Sequence, residues 1–550
     1  MQPRRRVPYG PGLRSMCLAL FLACLLSSIA CGPSSPTPAP TPTTAPPVTL
    51  GCDATVPEAA RSAIEALLHQ GPTGFVTAAD AAVADVRLGS AQFAGAQPLG
   101  AWYYALAAPF YTVDDGVALG DLQAAWRSGP AGALEGRSLI AGADTVRVFT
   151  ALWGAAGAGV RTAEPAALLT EAQQTGAWAI LPFDELQPAW KVLRIDGVWL
   201  IEKDLSEHTL ASYPLQVPLA LAAPAAGLQP GLNELLGQAP ARLCNRSEGR
   251  MTIVAMTGTS CISRTTAWLM MKNGLTYPAR DIKDWLVTAD LTHVSHESSF
   301  TPDCPIPPIV DDSLVFCSHD SYIKLLEEVG VDIVELTGNH LLDYGPEPLR
   351  HTLELYRARG WQWYGGGANL AEAQQPLLVT HGPNRLAFLG CNPVGPSYDW
   401  ATDSRPGSCP CDYARMQAQI RELRAQGYLP IVTFQYLETY EYWPTAGQVA
   451  DMRAMADAGA VVVQGSQAHQ PQAMELRSGA FIHYGLGNLF FDMMQTLPIR
   501  QQFVDRLVFY DGRLLAVDLR TAMLEEYGRP RPMTADERRS FLQAIFAVRP

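Results

Sequence analysis

In the C-terminal half of the chain, apolar residues return at helical spacing in several stretches, and each stretch stops at a glycine. Tyr322, Leu326 and Val329 share one helical face before Gly330; Leu349, Leu353 and Tyr356 do so before Gly360. Met416, Ile420 and Leu423 repeat the spacing before Gly427, and Val449, Met452 and Ala456 before Gly459. Steps of three and four residues put side chains on one side of a helix, and glycine suits the left-handed position that closes it. Each glycine is followed by an apolar run with strand character: "VDIVEL", "WQWY", "YLPIVTF" and "AVVVQG". Helix, glycine and strand, four times over, predict an α/β fold with a mostly parallel or mixed sheet. "MTIVAMTG", from Met251, opens this region as a buried strand.

The N-terminal half has a looser rhythm of the same kind. "PEAARSAIEALLHQG" reads as a helix closed by Gly71, "AWYYALAAPFYTV" as a strand and "LGDLQAAWRSG" as a short helix. "EPAALLTEAQQTG" and "AWAILPF" give helix, stop and strand. Residues 51–240 therefore predict a smaller α/β domain ahead of the larger one at 250–495, with strands and a helix at 496–550 completing the second domain. The phrases "YYALAAPFYTVDDGVALGDLQAAW" and "LPFDELQPAWKVLRIDGV" resemble bilobal periplasmic solute-binding domains. An α/β domain without a ligand explains them equally well.

Two segments lie outside this pattern. Arg4, Arg5, Arg6 and Arg14 precede the apolar run "MCLALFLACLLSSIA", which is too short for a membrane span and reads as a secretory signal. "SIAC" followed by a Pro/Thr-rich tract resembles a bacterial lipoprotein signal covering residues 1–31, which implies a lipid on Cys31 and an extracytoplasmic protein anchored to the cell membrane of a bacterium. Such signals carry Leu where Ser28 stands here; plain secretion or an uncleaved anchor are the alternatives. Residues 32–50 cannot bury a core and predict an extended spacer.

Composition narrows the classes. A formal charge of −13 argues against a nucleic-acid partner, which would need a basic stripe. Of the 11 cysteines, Cys17 and Cys24 leave with the signal and Cys31 takes the lipid. The remaining Cys52, Cys244, Cys261, Cys304, Cys317, Cys391, Cys409 and Cys411 form an even set, which favours disulfides outside the cytoplasm. Cys52 and Cys244 bracket the first folded region and are the expected pair within it.

Polar residues able to bind ligands collect at the predicted strand ends. "TGNHLLDYG" puts Asn339, His340 and Asp343 after one strand; "TGTSCISR" puts Thr259 and Arg264 after another. "LTHVSHESS" ends in His296 and Glu297, "FQYLETYEYWP" carries Gln435, Glu438 and Glu441, and "VQGSQAHQPQ" carries Ser466, Gln467 and His469. Ligands in α/β sheets lie beyond the carboxyl ends of strands, so these loops predict one shared site. His340 can move a proton, and Asp343 can hold its ring in one tautomer.

Over residues about 251 to 495 these blocks resemble the capsule-synthesis protein CapA family, also called poly-gamma-glutamate synthesis proteins. The family's Asn-His-x-x-Asp-Tyr-Gly block stands intact at Asn339, His340 and Asp343, and "HYGLGNLFFD" resembles its closing block. The resemblance implies a four-layer αββα fold of the calcineurin-like metallophosphoesterase kind. It also implies a role in capsule or poly-gamma-glutamate production, with an anionic or peptide-like surface polymer and capsule-assembly proteins as partners. His340, Asp343 and Arg264 carry over as catalytic residues, and Glu297, Asn339 and His469 as ligands for one divalent metal, Mn, Fe or Zn. The departures fall on that metal centre. The family's metal-binding Asp is Thr259 here, and imidazole positions are Gln435, Ser466 and Gln467. Neutral amides and hydroxyls hold divalent cations weakly, so a site without metal is the alternative. In that case Thr259, Gln435, Ser466 and Gln467, with Glu438 and Glu441, would line a pocket that hydrogen-bonds polymer. Two functions follow: a metal-dependent hydrolase or ligase-associated enzyme of surface-polymer synthesis, or a binding module that holds or guides the polymer without catalysis.

Overall fold

The helix–glycine–strand units form as the periodicity predicts. Helix Pro346–Arg359 closes at Gly360 (φ 74°) before strand Gln362–Tyr364. Helix Tyr413–Ala425 yields through Gly427 (φ 82°) to strand Leu429–Gln435, and helix Ala446–Ala458 through Gly459 (φ 115°) to strand Val462–Ser466. Gly330 (φ 72°) separates the short helix Ile323–Glu328 from strand Ile333–Glu335. The computed structural model describes residues 48–69, 75–78, 81–90, 97–129, 132–222, 243–307 and 314–550. The signal, Cys31, Gly71 and the spacer up to residue 47 lie outside the described residues. Among the described residues no helix is long and apolar enough to cross a membrane.

Three large sheets carry the molecule, which is mixed α/β. In one, the strands run in the order Gln362–Tyr364, Ile333–Glu335, Leu291–His296, Met251–Thr257, Gln501–Tyr510, Arg513–Glu525 and Arg529–Pro532. Its first four strands are parallel and the last three antiparallel. A second sheet orders Leu377–His381, Asn384–Cys391, Leu429–Gln435, Val462–Ser466, Ala480–His483 and Met474–Arg477, with the middle four parallel. Both faces of these strands are covered, so they read as near-continuous apolar runs. The period of two survives in what each side chain touches. Val254, Met256, Ile333, Phe388, Ile431 and Val462, drawn from both sheets, share one buried cluster. Their neighbours Ala255, Val294 and Val334 pack instead on helical Leu326, Leu349 and Leu353. Ala387, Val432 and Val463 pack on Met416, Ile420 and Met452 of two further helices.

The third sheet belongs to the N-terminal half and is built around the long strand Gln97–Pro109, paired with Gln216–Ala222 and Trp178–Pro182. It includes Val48–Cys52, paired between Phe75–Thr77 and Val86–Gly89, so the last residues assigned to the spacer are strand. Alternating Val48 and Leu50 give that segment enough apolar character to pair. The core of this half does not close on itself. It takes in Met251, Ile253, Val508, Tyr510, Leu515 and Ala516 from the sheet described first. Asn245 reinforces the join by bonding both backbone groups of Tyr103, accepting at 2.8 Å and donating at 2.9 Å. Arg513 donates to the carbonyls of Asp184 and Leu186.

Among the described residues two disulfides form, Cys304–Cys317 and Cys391–Cys411, while Cys52, Cys244, Cys261 and Cys409 are thiols. The expected Cys52–Cys244 bridge is therefore absent. Cys244 donates its S–H to the Arg246 carbonyl at 2.7 Å instead, and Cys52 sits at the end of its own strand.

Candidate functional site

The parallel strands of both large sheets end on one rim, and the polar loops predicted to meet there do meet. Glu297 follows strand Leu291–His296 and Asn339 follows Ile333–Glu335, both in one sheet. Gln435 ends Leu429–Gln435 and Gln467 follows Val462–Ser466, both in the other. The Gln435 side chain ties the two sheets together. Its Nε2 donates to Asn339 Oδ1 at 2.9 Å and Glu297 Oε2 at 3.3 Å, and Gln467 Oε1 is its third acceptor. Ser466 Oγ donates to Gln435 Oε1 at 2.5 Å, and the Gln467 backbone N–H donates to Thr259 Oγ1 at 3.1 Å. Gln435, Glu297, Thr259, Ser466 and Gln467 are all buried, while Asn339 and His340 reach the surface in part. Gly338 makes the approach possible, because a Cβ there would lie 2.6 Å from Glu297 Cα.

His340 lies beside this knot. Its Nδ1 is 2.7 Å from Asp343 Oδ2, which also accepts the Phe316 backbone N–H at 2.7 Å. Burial alone would lower the imidazole pKa. The hydrogen bond to Asp343 and the charges of Glu297, Asp343 and Asp399 outweigh it and raise the group above its ordinary value. Nε2 is the ring nitrogen facing away from Asp343.

Sequence reasoning missed Asp399. It is buried, accepts the Leu342 backbone N–H at 2.7 Å through Oδ1, and leaves Oδ2 without a hydrogen-bond partner among the described residues. Burial pushes its carboxyl up to about 7, with the nearby Asp343 charge acting in the same direction. The available signal was its position in the loop after strand Asn384–Cys391, another strand end of the same sheet.

Arg264 and His469 are held by the closing "GLGNLFFD" segment. Arg264 pairs with Asp492 at 2.5 Å, and its guanidinium lies 4.9 Å and 5.1 Å from the Phe316 and Phe491 ring centres. His469 Nδ1 is 2.8 Å from Asn488 Oδ1, and its ring stacks on Phe491. Glu438 and Glu441 do not join the buried cluster. Both are exposed, and Glu438 accepts from the Tyr440 hydroxyl. Tyr344, Tyr398, Tyr440 and Trp443 are exposed on the loops around the same rim.

A cation site needs lone pairs converging on an empty centre. Here the centre is the Gln435 amide nitrogen, an N–H donor already serving Glu297, Asn339 and Gln467. Among the described residues no three His, Cys, Asp or Glu side chains are placed to hold a metal ion. The residues present do not fit a divalent metal.

The sequence pattern described as "Bacterial capsule synthesis protein PGA_cap" matches residues 253–493, the segment that contributes every residue of this rim. This segment belongs to that family. Among its relatives, the capsule biosynthesis protein CapA of Bacillus anthracis is 24% identical over 313 residues, covering 56% of this chain and 75% of that protein. The PGA biosynthesis protein CapA of Bacillus subtilis (strain 168) is 27% identical over 188 residues, covering 34% of this chain and 49% of that protein. Among solved structures, a 5′-nucleotidase precursor from Thermus thermophilus overlaps with a TM-score of 0.32 at 14% identity, covering 54% of this chain and 59% of that one.

Proposed function

We propose that this PGA_cap protein takes part in making a capsular or poly-glutamate surface polymer by binding the polymer at the Asn339–His340 rim, without metal-dependent catalysis. The polymer role is supported by the capsule and PGA biosynthesis proteins it resembles. The observation that carries the metal-free form is the Gln435 amide, which fills with N–H donors the place where cation ligands would converge. His340, whose pKa is raised by its Asp343 hydrogen bond and the nearby carboxylates, and the exposed tyrosines around it suit a carboxylate-bearing, amide-linked chain. The two sheets and their covering helices are read as the four-layer αββα arrangement of metallophosphoesterases, supported by the alternating core clusters. A lipid on Cys31 would hold the protein at the outer face of the membrane; labelled palmitate should enter the chain and fail to enter Cys31→Ser.

The test joins metal analysis of the purified chain to calorimetry with γ-linked glutamate oligomers. Substoichiometric metal after soaking in Mn, Fe or Zn, with oligomer binding lost in His340→Ala, is expected. One retained equivalent of metal, lost in His469→Ala, would overturn the metal-free form. The 2.7 Å His340–Asp343 pair favours a second reading, in which His340 is a general acid on the polymer. Cleavage of the oligomers by the parent chain and not by His340→Ala would establish it.

A further inference from the structure

A separate cavity of about 640 Å³ lies away from the Gln435 rim, between the N-terminal half and the last helix. Four segments distant in sequence build it. Tyr111 and Asp114 follow strand Gln97–Pro109, Arg137 and Trp178 flank the strands of the same sheet, and Arg539 and Arg549 come from helix Ala535–Phe546 and the turn after it. The charges do not balance. Arg137 reaches Asp114 at 2.7 Å and Arg539 reaches the same carboxylate at 3.5 Å, so two guanidinium groups share one anion. Arg549 lies 3.7 Å from the Tyr111 ring centre, donates Nη1 to the Val548 carbonyl at 3.2 Å and, among the described residues, has no ion pair. The neighbouring Asp115 adds nothing, since Lys191 and Arg538 already take it at 2.8 Å and 2.7 Å.

Both ring floors are firm. Trp178 is buried beneath Arg137, whose guanidinium stands 4.7 Å from the indole centre. The Tyr111 hydroxyl donates to the Met474 carbonyl at 3.0 Å, which fixes the ring under Arg549. A guanidinium held over an aromatic face keeps its charge and can still donate N–H groups to a ligand. Three arginines around one cavity, on a protein whose formal charge is −13, form a local reversal of sign. The cavity volume falls in the usual range for small-molecule sites.

We propose that this cavity binds a small multivalent oxyanion, carboxylate or phosphate, on Arg137, Arg539 and Arg549. The proposal is independent of the polymer reading, since it uses none of the rim residues and its three arginines lie outside the PGA_cap segment. The oxyanion charges replace the missing counter-ions, and the guanidinium N–H groups not taken by Asp114 or the Val548 carbonyl donate to its oxygens.

The experiment is calorimetry on the full chain with citrate and with pyrophosphate, at low and raised salt. The expected result is one site per chain, weakened by salt, with affinity falling about tenfold or more in Arg549→Gln. Arg549 is exposed, so that variant should keep the parent melting temperature when no anion is present. Binding of citrate alone marks a carboxylate ligand, binding of pyrophosphate alone marks a phosphate ligand, and binding of both marks recognition by charge. If neither probe binds, or if Arg549→Gln and Arg539→Gln bind as the parent does, the proposal is overturned.

Discussion

At the scale of single residues, the rim is governed by which groups carry protons. Asp399 is the sharpest case, because its buried carboxyl titrates near 7 in the fold and near 3.8 when exposed. A raised carboxyl pKa favours the folded state while the group is neutral. That contribution is complete below about 3.8 and is lost as pH rises through about 7. Asp399→Asn removes the titration and keeps an acceptor for the Leu342 N–H. At pH 8 the variant should be more stable than the parent by about 2 kcal/mol, and at pH 4 nearly equal to it, as read from denaturant melts. His340 titrates on the other side of the same pocket, and its raised value depends in part on the Asp399 charge.

At the scale of elements, the decisive features are the strand ends and the links that hold them. Gly338 lets the Asn339 loop pass against Glu297, and a methyl group there has no room. Gly338→Ala should cost about 1–3 kcal/mol and lower the melting temperature, because the clash is with backbone as well as side chain. The Cys391–Cys411 bridge closes the loop that carries Asp399, with a sequence separation of 20. Replacing both cysteines with serine should destabilise by about 3 kcal/mol, measured by chemical denaturation under non-reducing conditions.

These elements also show what the sequence discloses. The helix–glycine–strand units were legible because period and glycine are local properties, and Gly360, Gly427 and Gly459 all sit at positive φ as their positions imply. Asn339, His340, Gln435 and Gln467 were legible because strand ends gather in parallel sheets. Glu438 and Glu441 looked like partners on charge alone, but the chain turns outward after Gln435 and leaves them in solvent. The partners of Asp399, Asn488 and Asp492 were not legible, since Leu342, His469 and Arg264 meet them only after folding. The Cys52–Cys244 expectation failed for the same reason: bracketing a region in sequence does not bring two sulfur atoms together.

At the scale of the molecule, the two halves share a core. Tyr510, Leu515 and Ala516 belong to a hairpin of the PGA_cap-bearing half, yet they pack among the apolar side chains of the N-terminal half. A fragment starting at residue 250 would expose that face, along with the Arg513 donors that now serve Asp184 and Leu186. Expressed alone, it should be insoluble or should melt well below the full chain, whereas two independent domains would each melt as they do together.

The Gln435 nitrogen carries one more consequence. Exchanging it for oxygen, as Gln435→Glu does, removes the donor of three hydrogen bonds at once and sets two carboxylates face to face. Such a chain would have to recruit a proton or an ion to keep its loops shut. The chemistry of a single atom thus decides whether the rim closes by itself or only in company.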